Sequence, residues 1–102
     1  MVEVSSGNVF ADLGFEEPEI ELVKARLSAK IAEELAARGW TQRKAGTVLG
    51  IDQPRVSMLV RGKTGQFSLE RLIDFLERLS FDVRLEATPA PTTSKGRLVV
   101  AV

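Results

Sequence analysis

The segment Thr41-Gln42-Arg43-Lys44-Ala45-Gly46-Thr47-Val48-Leu49-Gly50-Ile51-Asp52-Gln53-Pro54-Arg55-Val56-Ser57-Met58-Leu59-Val60-Arg61-Gly62 constrains this chain more than any other. It reads as two short helices with a sharp corner between them. Thr41 can cap the first through its hydroxyl, and Gly50 ends it after Ala45, Val48 and Leu49. Asp52 can cap the second, Pro54 falls in its first turn, where a missing N–H costs least, and Gly62 stops it. Helices crossing steeply need small residues where their backbones touch, a glycine at the corner and apolar residues on both sides. Ala45 and Gly46 meet the first need, Gly50 the second, and Leu49, Ile51, Val56 and Leu59 the third.

The flanks supply the rest of a core. Pro18, Glu19 and Glu21 suit a helix start, and Ile20, Val23, Leu27, Ile31 and Leu35 recur at spacings of three and four up to Gly39. Ser68 can cap a fourth helix with the stripe Leu69, Leu72, Ile73, Leu76 and Leu79. Trp40 is expected to pack at the corner after the first helix. Beyond Ser80 the period changes: Phe81, Val83 and Leu85 alternate with Asp82, Arg84 and Glu86, the pattern of a short strand. Such a strand needs a partner, either residues 98–102 or another subunit. Residues 1–17 read as an irregular arm, 18–86 as the folded domain and 87–102 as a flexible tail.

Composition excludes several function classes. The 102 residues contain no Cys, His or Tyr, which removes disulfides, thiolate nucleophiles and the usual zinc ligands and neutral-pH bases. An enzyme is not expected, and neither is a metal or other cofactor. The fragment Gly62-Lys63-Thr64-Gly65 lacks the upstream glycine and strand of a phosphate-binding loop. No stretch approaches the ~20 apolar residues of a membrane span, and no export signal opens the chain, so a cytoplasmic, membrane-free protein is expected.

The charge total conceals a segregation. Fourteen bases balance fourteen acids. Residues 1–23 nevertheless carry six acids and no base, whereas residues 24–63 carry nine bases and three acids. A basic middle that coincides with the paired-helix segment fits an anionic partner, and solvated helix faces are the plainer account.

Over all of residues 41–62 the chain resembles the helix-turn-helix of the phage-repressor-like (Xre) family. The resemblance implies an all-α fold, a four- to five-helix lambda-repressor-like domain with a short C-terminal β-strand paired across a dimer. It places the helix after Asp52 in the major groove of double-stranded DNA, N-terminus first, with Gln53, Pro54, Ser57, Met58 and Arg61 towards the bases. Glutamine can bond adenine and arginine guanine, while Met or Pro can touch a thymine methyl. Gln42 and Gln53 resemble the glutamine pair of phage repressors, one bracing the other. Gln42, Arg43, Lys44, Arg55 and Lys63 are assigned to the phosphates, which set affinity rather than sequence preference. Asp52 is explained by its cap alone.

Outside the motif, Ser6 to Phe15, the turn Arg61-Gly62-Lys63, Phe67 to Glu70 and Phe81 to Leu85 look like small HigA-like antitoxins. That resemblance implies a homodimer on a palindromic operator that represses its own operon and sequesters a RelE/HigB-like, mRNA-cleaving toxin. Leu79-Ser80 departs from the Leu-Gly usual before the final strand. The expected dimer surface comprises Phe75, Leu79, Phe81, Val83 and Leu85. The acidic head, with Phe10, Leu13 and Phe15, or the tail 96–102, would meet the toxin. A solitary Xre-type regulator and a helix-turn-helix used only for protein contacts stay open as alternatives.

Overall fold

A computed structural model of the chain describes residues 17–91 and 95–102. The expected arm lies outside the described residues except for Glu17, as do Phe10, Leu13, Phe15 and the spacer residues 92–94. Four helices make the domain: α1 Glu17–Arg38, α2 Gln42–Leu49, α3 Gln53–Val60 and α4 Leu69–Arg78. No described helix is long and apolar enough to cross a membrane.

Each helix end has a local cause. Thr41, Asp52 and Ser68 accept hydrogen bonds from the backbone N–H three residues on, at 3.1, 3.0 and 3.1 Å, so α2, α3 and α4 all start on a side-chain cap. Gly50 terminates α2 at φ 76°, with its own N–H and that of Ile51 both donating to the Gly46 carbonyl. Gly62, at φ 75°, ends α3 while the Lys63 N–H reaches back to the Met58 carbonyl at 2.9 Å. Ser80 takes the same left-handed role after α4 at φ 70°, and Phe81 N–H donates to the Leu76 carbonyl. It is the one non-glycine in that region among the described residues.

The predicted stripes converge on one core. Val23, Leu27, Ile31 and Leu35 of α1 meet Leu49 of α2, Val56 and Leu59 of α3, Leu72, Phe75 and Leu76 of α4, and Leu79 at its C-cap. Burying such side chains contributes about 1.5–3 kcal/mol each and fixes the helix order. The Ser28 hydroxyl donates a buried 2.8 Å bond to the Leu59 carbonyl, tying the middle of α1 to the last turn of α3.

Two expectations at the C-terminal side are corrected. Among the described residues there is no strand and no fifth helix; residues 81–86 are irregular, because no neighbouring segment supplies the ladder a strand requires. Phe75 and Leu79, expected on a dimer surface, are 0 % and 1 % exposed in the chain's own core, where Phe75 meets the Phe67 ring edge-on at 5.6 Å. Phe81 and Leu85 are half-buried against the same core, Phe81 beneath the Lys30 ammonium at 5.3 Å. Val83 alone of the five is exposed. The tail is not wholly detached: Leu98 and Val100 pack on the helical body, and Val102 borders a shallow groove with Ala25, Ala29 and Lys30 of α1.

Candidate nucleic-acid interface

The core sorts α3 into two sides. Val56 and Leu59 point inward, fully covered, which turns Gln53, Pro54 and Arg61 to solvent along with Arg55. Ser57 and Met58 lie between, half-buried, and Met58 also packs against the core. The expected base-reading set is therefore brought to one helix, with three members fully presented and two partly so. Arg61 folds back, its Nε donating to the Ser57 carbonyl at 3.2 Å, which leaves the two terminal nitrogens of its guanidinium for a guanine or a phosphate.

The phosphate candidates gather at helix starts. Gln42, Arg43 and Lys44 form the exposed first turn of α2, and neither α2 nor α3 has an acid within its first turn. Unpaired N–H groups and the positive end of the helix dipole add to those side-chain charges. Asp52 is the exception at this face. Its carboxylate accepts from the Arg55 N–H, the capping role expected of it. Lys63 is exposed just after the α3 terminus. Among the described residues no hydrogen bond joins Gln42 to Gln53, so any bracing between them forms on contact with a ligand.

The angle between α2 and α3 is set by Gly46. A Cβ there would lie 2.5 Å from the Ile51 carbonyl oxygen, closer than real contacts come, so only glycine lets the corner fold back on α2. From the other side α4 clasps the same corner. Arg71 and Arg78 share the Asp74 carboxylate at 3.1 and 3.0 Å and reach the Gly50 and Val48 carbonyls, each at 3.4 Å. Sequence reasoning missed this clasp. Its trace was the spacing Arg71, Asp74, Arg78, oppositely charged and one turn apart, a pattern usually spent on solvated pairs. Also missed was the pair of cations on Trp40, Arg38 at 5.1 Å and Lys44 at 5.6 Å from the ring centroid.

A pair of packed short helices with a glycine corner and an outward polar edge on the second is the arrangement of a DNA-binding helix-turn-helix. Residues 9–88 match the family model described as "Helix-turn-helix domain". A solved structure described as an XRE-family transcriptional regulator superposes with a TM-score of 0.79 at 31 % identity, over 85 % of this chain and 99 % of that one. The chain belongs to the Xre helix-turn-helix family. No curated protein matches it. As an Xre-type domain it is a DNA-binding transcriptional regulator.

Proposed function

We propose that this Xre-type domain is a sequence-specific transcriptional repressor that binds a palindromic operator as a homodimer. The observation that carries the reading is the two-sided α3, anchored by Val56 and Leu59 and presenting Gln53, Pro54 and Arg61. One such helix covers too little DNA for tight recognition, so two copies read half-sites about 34 Å apart. Residues 81–86 supply the dimer contact: Val83 is exposed, and pairing with a second copy would give this segment the ladder it lacks within one chain.

We further propose that the protein is the antitoxin of a type II toxin–antitoxin operon and neutralises a RelE/HigB-like toxin. The support is the resemblance of residues 5–86 to HigA-like antitoxins, together with the acid-only run of residues 1–23, which suits a basic, RNA-cutting partner. A solitary regulator is the second reading, favoured by the XRE-family transcriptional regulator that the chain resembles in structure.

Fluorescence anisotropy on the DNA upstream of its own gene, at two salt concentrations, tests the first proposal. A preferred site whose affinity falls with salt supports it; equal, salt-independent signals on all duplexes would leave only a protein-interaction module. Co-expression with the neighbouring open reading frame tests the second. Co-purification with a growth-inhibiting basic protein supports the antitoxin, and the lack of such a neighbour supports the solitary regulator.

A further inference from the structure

Trp40 is the single tryptophan of the chain and sits half-buried between the end of α1 and the start of α2. Two cations share its ring, and other contacts hold them very differently. Arg38 is fixed on α1: its Nη2 donates to the Leu79 carbonyl at 2.7 Å, and its Nε lies 3.9 Å from the Glu34 carboxylate. Lys44 has no carboxylate within ion-pair distance among the described residues, and its ammonium lies 5.6 Å from the centre of the indole. A lysine on a helix surface otherwise sweeps through many rotamers, and ordering it opposes any contact it makes. An indole face attracts an ammonium and restricts that sweep.

We infer that Trp40 is a positioning residue for DNA binding. It holds the Lys44 ammonium near the start of α2, so the free chain already carries part of the ordering the complex needs. Arg38 backs the same ring and secures it to the end of α4 through Leu79. The inference rests on the DNA-binding reading above and adds to it a residue that touches no DNA itself.

The test uses the full chain and a duplex selected from random sequence by the wild-type protein. In the free protein, K44Q should change the Trp40 emission maximum or intensity while far-ultraviolet circular dichroism stays at wild-type level; identical emission would overturn the contact. On the selected duplex, K44Q and W40L should each lower the slope of log affinity against log salt by about 1.8, the value for one phosphate contact from each protomer of the dimer. The W40L/K44Q double variant should lose no more than either alone, and W40F, which keeps an aromatic face, should retain the wild-type slope. A W40L protein with the wild-type slope, or a double variant that loses about 3.6, would overturn the role of Trp40 and leave DNA binding intact. If W40L does not fold, a wild-type slope in K44Q overturns that role equally. A wild-type protein that selects no duplex overturns the DNA-binding reading and this one with it.

Discussion

Gly46 approaches Ile51 so closely that its hydrogen stands where any side chain would meet the Ile51 carbonyl oxygen, 2.5 Å from a Cβ. The obstacle is backbone, which cannot swing aside as a side-chain tip can. Gly46→Ala is expected to destabilise the domain by about 1–3 kcal/mol, the usual range for overpacking. It should weaken operator binding beyond the unfolded fraction, because relief of the clash opens the angle between α2 and α3. Urea unfolding and anisotropy on the same preparation measure the two effects.

Ser80 offers the opposite change. A non-glycine residue at φ 70° bears a steric cost of about 1–2 kcal/mol, offset in part by the smaller backbone entropy it loses on folding. Ser80→Gly should therefore raise stability by up to about 1 kcal/mol and raise the melting temperature by several degrees. A lower melting temperature would show that the serine hydroxyl makes a contact worth more than the strain.

Gln53 and Lys44 should fail differently on DNA. Gln53→Ala is expected to cost about 1–3 kcal/mol of discrimination at one operator position and little on unrelated duplexes. Lys44→Ala should weaken all duplexes alike and flatten the salt dependence. Equal losses on operator and random DNA for Gln53→Ala would reassign Gln53 to the backbone contacts.

Val83 separates the proposed dimer surface from the core. Because it is 38 % exposed while Phe75 and Leu79 are interior, Val83→Lys should leave the fold intact and convert the proposed dimer to a monomer by light scattering. A V83K protein that stays dimeric would move the interface away from residues 81–86.

Buried Ser28 can be probed by Ser28→Ala, which removes its bond to Leu59 and should cost about 0.5–1.5 kcal/mol. The Leu59 carbonyl keeps the Gly62 N–H at 3.1 Å, so it is not orphaned and the cost stays at the modest end. Chemical denaturation that shows a loss above about 3 kcal/mol would indicate that α3 shifts when the hydroxyl is gone.

Local rules carried most of the fold. Thr41, Asp52 and Ser68 cap because a short polar side chain before an apolar run has little else to do. Gly39, Gly50 and Gly62 all adopt the left-handed geometry that ends a helix. The apolar stripes of α1 and α4 were legible because a period near 3.6 has one structural meaning over several turns. The failures were non-local. Alternation at Phe81, Val83 and Leu85 looks the same whether the segment pairs in a ladder or lays two apolar side chains on neighbouring helices, and here Phe81 and Leu85 do the latter. Phe75 and Leu79 lie on a stripe whose covering partner could be this chain or another; periodicity does not distinguish them. The clasp from Arg71 and Arg78 depends on where α4 crosses the corner, which no window of sequence contains.

The division of α3 into a covered side and a presented side has an evolutionary consequence. Because Val56 and Leu59 carry the helix's attachment to the body and Asp52 fixes its start, Gln53, Pro54 and Arg61 are free to vary with almost no penalty in folding. Under the proposed base contacts, a change at a few solvent-facing letters would retarget such a protein to a new operator at nearly equal stability.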